Sequence, residues 1–212
     1  MNCDRIARLY RWIEYAAFGT SLARRRAALL PDVSDARKVL ALGDGDGRAL
    51  VRLLRGTRHA HVTYVDASVR MLELARARIL SHPADRSRVE FLHADVRIMP
   101  ERDGTYDCIV THFFLDCFDA CDLPPLVDRI AHAAAPEARW IVSEFRPANH
   151  FARMLIPVMY AFFGKATGLR TRSLVDHHPQ LLRNGFRLEK TQQAWGGMLV
   201  SELWARSGAS PN

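Results

Sequence analysis

Three glycines spaced two apart stand between an apolar run and a helix-forming run. The apolar run covers residues 39–42, and Gly43, Gly45 and Gly47 follow it directly. Glycine adopts positive φ and places no Cβ between the backbone and a ligand. The first turn of the next helix offers unpaired N–H groups beside the same space. The pattern predicts the strand, turn and helix of a nucleotide-binding α/β sheet, although a plain structural turn has the same spacing.

An acidic residue follows the second strand-like run of the chain. This run covers residues 61–65 and ends in Asp66, about 20 residues past the glycines. A carboxylate in that position can accept hydrogen bonds from both ribose hydroxyls of an adenosine-type ligand. The alternative is that Asp66 caps the helix beginning near Ser68. Because the glycine turn precedes it, we favour the ribose role.

Two more strand-like runs continue the alternation of strands and helices. Residues 89–93 are followed by Asp95, and residues 106–111 are followed by His112. His112 thereby lies on the side where open α/β sheets bind ligands. Near the end of the chain, two β-type runs joined at Gly196-Gly197 predict an antiparallel pair at one edge of the sheet.

The four segments together resemble a known family. The runs VLALGDGDG, VTYVDASVRML, VEFLHADV and YDCIVTHFFLDCF are similar, in order and spacing, to motifs I to IV of the class I S-adenosylmethionine-dependent methyltransferases. The resemblance extends from about residue 37 to 145, and later segments resemble the last three strands of that fold. It implies an α/β, Rossmann-like, seven-stranded, mainly parallel sheet with one antiparallel edge strand and helices on both faces. The implied function is methyl transfer from S-adenosyl-L-methionine to a small, lipophilic or aromatic acceptor.

The resemblance also implies a set of cofactor contacts. Asp66 would hold the ribose, and Asp95 would accept from the exocyclic amine of adenine, with a turn cap as the alternative for Asp95. For Met71, a place in the core is the alternative. The expected cofactor-binding residues are Gly43, Asp44, Gly45, Gly47, Asp66, Ala67, Met71, Ala94, Asp95, Val96 and His112.

One position departs from the pattern of the family. Ala41 stands where the family usually has an acid that helps to hold the methionine end of the cofactor, and Asp44 and Asp46 lie in the loop instead. A catalytically weak or silent cofactor-binding or scaffold protein is therefore the second hypothesis. A nicotinamide-dependent oxidoreductase is a weaker third hypothesis, because Arg48 occupies the loop position where that class prefers Gly or Ala.

Methyl transfer from a sulfonium mainly requires a correctly placed acceptor and exclusion of water. A hydroxyl acceptor also benefits from a base. His112 is the first candidate for this base, and Asp116, Glu144 and His150 are weaker ones. A single histidine after a strand is more often structural, so both roles remain open for His112.

The segment 147–172 interrupts the strand–helix alternation and carries a broad apolar face. We expect it to cover the acceptor together with an N-terminal helical lid, residues 1–30, and we expect Tyr10, Met154 and Tyr160 to line the acceptor pocket. The alternatives are an ordinary core helix or a weak contact with a membrane surface.

Length, composition, charge and the spacing of cysteines and histidines limit the class of protein. The 212 residues, 49% of them hydrophobic, predict a single domain, 1–212, with the cofactor-binding core at 37–145 and the last helix and strand pair at 175–206. The net charge of +7 comes without an RNA-binding signature, so no nucleic acid partner is expected. No apolar run is long enough to cross a membrane, which predicts a cytoplasmic location. No metal is expected, because Cys117 and Cys121 lack a matching second pair and His177-His178 looks like a helix start.

Overall fold

A computed structural model describes residues 18–99, 102–167 and 174–206, and for residues 160–167 it describes the backbone alone. Tyr10 and the side chain of Tyr160 lie outside this part. The strands are β1 Lys38–Leu42, β2 His61–Asp66, β3 Val89–His93, β4 Tyr106–His112, β5 Ala134–Phe145, β6 Phe186–Ala194 and β7 Leu199–Arg206. The helices are α1 Ser21–Ala27, α2 Arg48–Gly56, α3 Val69–Leu80, α4 Leu123–His132, α5 His150–Thr167 and α6 His178–Arg183.

The strands form one seven-stranded sheet in the order β3-β2-β1-β4-β5-β7-β6. Strands β1 to β5 are parallel, and β7 runs antiparallel to both of its neighbours, β5 and β6. The predicted mainly parallel sheet with an antiparallel pair at one edge is confirmed. The order reverses between β1 and β4, so the carboxyl ends of these two strands form the crevice where such sheets bind ligands.

Helices cover both faces of the sheet, because successive apolar side chains along a strand point to opposite faces. In β1, Val39 and Ala41 face α2 and α3, whereas Leu40 and Leu42 face α4. Helix α1 packs on the same face as α2, where Ala23 O accepts a hydrogen bond from Arg52 Nη1 at 2.7 Å. Burial of both faces explains why the central strand β1 is almost continuously apolar.

The prediction for residues 122–145 is partly wrong. The sequence pattern predicts a helix that continues to Ala135 and stops at Pro136, followed by a fifth strand from Trp140. Instead α4 ends at His132 and β5 begins at Ala134. Pro136 lies where the pairing with β4 skips from Tyr106–Ala134 to Cys108–Arg139. A proline has no N–H to donate, so it is tolerated in a strand at such an irregularity.

The last helix is also shorter than predicted. The sequence predicts a helix over residues 175–184, but α6 spans only His178–Arg183, with a proline in its first turn. This position suits proline because the first N–H groups of a helix have no partner within the helix. Across the described residues, no helix is both long enough and apolar enough to cross a membrane.

Candidate cofactor and acceptor site

Each glycine of the turn after β1 is required for a different physical reason. All three have positive φ, at 63°, 73° and 77° for Gly43, Gly45 and Gly47. A Cβ on Gly43 would lie 2.2 Å from the ring of Phe114, and one on Gly47 would lie 2.9 Å from Cβ of Ala75. A Cβ on Gly45 would meet no atom of the described residues within 4 Å. The space above Gly45 is therefore open to a ligand, whereas the other two glycines are fixed by packing.

Asp66 lies at the carboxyl end of β2 and is partly exposed, next to exposed Ala67. Its Oδ1 accepts the backbone N–H of Ser68 at 2.8 Å. The cap of α3 is Ser68, whose Oγ accepts the N–H of the buried Met71 at 3.1 Å. Asp66 thus orients the turn before α3 without capping the helix itself, and its ribose role remains a prediction.

The turn after β3 shows an ion pair at the predicted adenine position. Asp95 Oδ2 lies 2.6 Å from Nη2 of Arg97, and Asp95 Oδ1 accepts the Arg97 N–H at 3.0 Å. The Arg97 hydrogen bond holds the pKa of Asp95 below its usual value. Asp95 therefore has the turn-cap contact, and its contact with adenine remains a prediction. Of its neighbours, Ala94 is partly buried and Val96 is buried in the core.

The two acidic residues of the glycine turn have contrasting environments. Asp46 forms ion pairs with Arg48 at 2.8 Å and with Arg78 at 2.9 Å. Asp44 is buried, and its Oδ2 accepts the N–H of Leu50 in the first turn of α2 at 3.2 Å. Its Oδ1 is buried without a hydrogen-bond partner in the part of the chain that the structure describes. Burial raises the pKa of Asp44 to about 7, against the opposing charge of Arg26.

His112 is the last residue of β4 and lies level with the start of the glycine turn. The reason is that the preceding residues of the two strands, Thr111 and Leu42, are paired. It is buried, and its Nδ1 lies 3.0 Å from Oγ of Ser143. Ser143 donates to Ser201 at 3.1 Å, since the Ser201 hydroxyl itself donates to the Arg25 carbonyl at 2.9 Å.

This chain of hydroxyls assigns the tautomer of His112. Both serine protons are used, so Nδ1 of His112 must donate to Ser143, and Nε2 carries a lone pair. Nε2 is buried and has no hydrogen-bond partner among the described residues. Burial, together with the charge of Arg26, lowers the pKa of His112 to about 3. His112 is therefore neutral at physiological pH and a weak base.

Arg26 is a site residue that sequence reasoning did not identify. It is buried in α1, and its Cζ lies 5.2 Å from the ring centroid of Phe113. Phe113, which follows His112, has a positive φ of 54°, a conformation that is rare for a bulky residue and recurs at functional sites. The signal was the four-residue spacing from Leu22, which places Arg26 on the same inward face of α1.

Two carboxyl groups meet beside the carboxyl ends of β4 and β5. Glu144 Oε1 accepts the N–H groups of Phe114 at 3.2 Å and Leu115 at 2.9 Å. Burial and the neighbouring Asp116, to which it is hydrogen bonded, raise the pKa of Glu144 well above its usual value. Of the other predicted bases, Asp116 is buried in this pair, whereas His150 is exposed at the start of α5.

The apolar helix α5 presents a buried face and an exposed face. Ala152 and Ile156 pack against Phe18, Phe145 and Met198. Met154 is 70% exposed on the other face, and Phe151 and Val158 are exposed with it. Met154 is therefore not a core residue, and its place in an acceptor pocket remains a prediction.

His177, His178 and Glu202 form a cluster whose ligand atoms lie within 4.8 Å of one another, a geometry that could hold a metal ion. Glu202 is also hydrogen bonded to Arg146. Burial alone would raise the pKa of Glu202, but the His177 hydrogen bond and the Arg146 charge lower it to about 2. The carboxylate already has a cationic partner, so an ion-pair network accounts for the cluster.

Comparison with known proteins agrees with this architecture. Residues 39–137 match the family model described as a methyltransferase domain. The demethylmenaquinone methyltransferase of Thermus thermophilus is 30% identical over 145 residues, 68% of this chain and 64% of that protein. The enzyme of the same name from Clavibacter sepedonicus is 31% identical over 173 residues, 80% of this chain and 64% of that protein. The chain thus spans 64% of the length of these two relatives.

A solved structure shares the fold. The 1,6-didemethyltoxoflavin-N1-methyltransferase of Burkholderia thailandensis, with bound 1,6-didemethyltoxoflavin and S-adenosylhomocysteine, matches with a TM-score of 0.66 and 16% identity. The match covers 93% of this chain and 83% of that chain. At this identity the likeness shows the fold alone.

The sheet order and the glycine turn define a Rossmann-like cofactor-binding domain. The matches above show a methyltransferase domain over residues 39–137 and support a class I S-adenosylmethionine-dependent methyltransferase. S-adenosylmethionine is the cofactor of such enzymes, and the site fits it. The space above Gly45 is open in the described part of the chain. Two buried acceptor atoms, Oδ1 of Asp44 and Nε2 of His112, receive no hydrogen bond from the described residues.

Proposed function

We propose that the protein transfers the methyl group of S-adenosyl-L-methionine to a small lipophilic or aromatic acceptor. The observation that carries the proposal is the open space at Gly45, which lies at the reversal of strand order between β1 and β4. A ligand that approaches the backbone there would lie beside the first turn of α2. Asp66, one strand away at the end of β2, would accept hydrogen bonds from its ribose.

The acceptor would lie beyond the ends of β4 and β5, towards α5. The described side chains there are largely apolar and aromatic, including Phe113, Phe114 and Phe145. Ligand pockets are typically apolar with a few polar groups. The names of the relatives fit a ring-containing acceptor, because they refer to demethylmenaquinone and 1,6-didemethyltoxoflavin. Tyr10, Met154 and Tyr160 remain the proposed wall residues.

The cofactor supplies a sulfonium-bound methyl group that is already activated for in-line displacement. The chain's own residues have to bind and orient the cofactor and the acceptor, and they have to exclude water. His112, with a pKa of about 3, is a poor proton acceptor at neutral pH. If a hydroxyl is methylated, Asp116 is the better candidate for the proton acceptor, because the neighbouring Glu144 favours its protonated form and is hydrogen bonded to Asp116.

The test combines calorimetry with a methyl-transfer assay over a panel of quinols, phenols and N-heterocycles. We expect S-adenosylmethionine to bind, NADH not to bind, and a ring-containing acceptor to become methylated. Gly45→Val should abolish cofactor binding without unfolding the domain, since the side chain would enter the ligand space. Normal binding by Gly45→Val would remove the main support for the proposal.

The same assay distinguishes an active methyltransferase from the second hypothesis, a catalytically silent cofactor-binding protein. Ala41 is the observation that favours it, because a buried alanine replaces the acid that the family usually has. Binding of S-adenosylmethionine without turnover on any acceptor would favour the silent protein.

A further inference from the structure

Helix α5 carries a row of exposed apolar side chains. Phe151, Met154 and Val158 are each more than half exposed, whereas Ala152 and Ile156 on the opposite face are buried. Positions three and four apart share one face of a helix, so the three exposed side chains form a continuous row. Single exposed apolar residues are ordinary on a protein surface, but a contiguous group of them marks an interaction site.

Trp195 extends this row from the neighbouring hairpin of β6 and β7. Its ring centroid lies 6.5 Å from that of Phe151, and its side chain is also exposed. The indole N–H donates to Ser21 Oγ at 3.0 Å, so the part of Trp195 left for a partner is the apolar ring. Trp195 has a φ of 54°, which is rare for a bulky residue and indicates that the surrounding contacts hold it in this conformation.

Asn149 connects the hairpin to the start of α5. Its Nδ2 donates to the carbonyl oxygens of Trp195 and Gly196, at 3.0 Å in both cases. Its Oδ1 accepts the N–H of Ala152 at 2.8 Å, which satisfies a donor in the first turn of the helix. The helix and the hairpin therefore present one preformed surface. This apolar platform consists of Phe151, Met154, Val158 and Trp195.

The chain beside the apolar platform is basic. Residues 147–175 contain no aspartate or glutamate, and their four basic residues are Arg153, Lys165, Arg170 and Arg172. The whole chain carries a net charge of +7. Two copies that met through this face would bring their basic segments together, which opposes association. The partner that complements the platform is therefore negatively charged.

A negatively charged lipid surface matches the apolar platform better than a protein does. The platform side chains of α5 have no N–H or O–H group, and the indole N–H of Trp195 is already used. A protein interface contains about one hydrogen bond per 100–200 Å². The boundary between lipid headgroups and acyl chains instead accepts apolar side chains without directional contacts, and anionic headgroups attract nearby lysines and arginines.

We propose that the apolar platform docks on an anionic membrane surface, with α5 parallel to the plane of the bilayer. The apolar side chains would enter the outer part of the acyl layer, and the basic residues of the segment 147–175 would lie near the headgroups. This docking goes beyond the proposed function, because it needs neither cofactor nor acceptor. It would place the acceptor side of the crevice, which lies towards α5, against a phase that dissolves lipophilic molecules.

The experiment is co-sedimentation of the full chain with lipid vesicles, without cofactor or acceptor. One set of vesicles contains phosphatidylcholine alone, and the other contains equal parts of phosphatidylcholine and phosphatidylglycerol. We expect the affinity for the anionic vesicles to be about tenfold higher or more, and to decrease as salt is added, because salt screens the headgroup charge. Equal affinity for both sets of vesicles, or binding to neither, would overturn the inference.

The double substitution Phe151→Ser and Val158→Ser tests the apolar platform directly. Loss of two apolar side chains from the lipid contact should weaken binding to anionic vesicles about tenfold or more. Leu80→Ser is the matched control, because Leu80 is 56% exposed at the end of a different helix, α3, and this variant should bind as the wild type does. The melting temperature identifies a misfolded variant. A folded double variant with wild-type affinity would show that the platform does not contact lipid.

The fluorescence of Trp195 supplies an independent test that leaves the α5 side chains intact. Anionic vesicles with brominated acyl chains should quench a component of the wild-type emission that Trp195→Phe lacks, because Trp140 and Trp204 are buried. Identical quenching in the two proteins would place Trp195 away from the membrane and contradict the inference. If the platform instead joins two copies, sedimentation velocity without vesicles will show a dimer that the double variant loses, and that result would also overturn the inference.

Discussion

The ring of Phe114 occupies the space beside Gly43, where a Cβ would lie 2.2 Å from Cδ2 of the ring. Phe114, the second residue after β4, thus packs directly on the turn after β1, so this contact holds together the two strand ends that form the crevice. Gly43 is required for this packing, whereas Gly45 leaves space for a ligand.

We expect Gly43→Ala to lower the free energy of unfolding by about 2–5 kcal/mol, through overpacking and the cost of a positive φ. Gly104→Ala is the matched control, because Gly104 has a similar φ of 58° and a Cβ on it would meet none of the described atoms within 4 Å. It should cost only about 1–2 kcal/mol. Denaturant unfolding measures both, and equal losses would mean that the Phe114 contact adds nothing.

Asp66→Ala should weaken S-adenosylmethionine binding by about 1.5–3 kcal/mol, the range for hydrogen bonds to a charged group. Ser68→Ala tests whether the neighbouring cap is responsible. It should cost about 1 kcal/mol of stability through loss of the Met71 hydrogen bond, with little effect on affinity. Unchanged affinity in Asp66→Ala would exclude Asp66 from the cofactor site.

Met154→Ala should change acceptor preference or turnover with a stability loss below about 1 kcal/mol, because Met154 is 70% exposed. Ile156→Ala on the buried face of the same helix should cost about 2–5 kcal/mol. Kinetics over the acceptor panel and thermal melts separate the two effects. A large drop in the melting temperature of Met154→Ala with unaltered kinetics would contradict the pocket role.

Glu144→Gln should be at least as stable as the wild type at pH 8. The raised pKa of Glu144 means that the folded protein favours the protonated form. Its contribution to stability is therefore present below the unfolded pKa of about 4.5 and is lost as the pH rises through the folded pKa.

Glutamine at position 144 keeps the acceptor oxygen for the Phe114 and Leu115 N–H groups. Glu144→Ala leaves both unpaired and should cost about 1–3 kcal/mol for each. A Glu144→Gln variant that melts well below the wild type at pH 8 would show that the carboxylate is ionised.

Glu202 should give the opposite pH dependence. Its pKa is lowered from 4.5 to about 2, so its contribution is present above pH 4.5 and is lost as the pH falls towards 2. The loss should be on the order of 3 kcal/mol and absent in Glu202→Gln. Urea unfolding between pH 5 and pH 2 measures it. Because Arg146 already bonds the carboxylate, EDTA should leave the melting temperature unchanged at pH 7, and a decrease would instead reveal a bound metal.

The amino-acid sequence alone was sufficient to predict the mainly parallel sheet and the place of the glycine turn. These features depend on short segments, because apolar runs, a glycine-rich turn and the acid after β2 are readable within a few residues. The antiparallel pair β6–β7 was predictable for the same reason, since a short link between two strands forces them to pair. The start of β5 was not predictable, because it depends on the irregular pairing around Pro136 with a distant strand.

The folded structure was needed to establish which polar atoms of the site lack partners. Asp44 and His112 were candidates from the sequence, but the hydroxyl chain through Ser143 and Ser201 sets the tautomer of His112, and those residues come from three strands. Arg26 enters the site because α1 packs its inward face over the end of β4. Burial and long-range hydrogen bonding fix these charges and protonation states, and neither is a property of any local stretch of the chain.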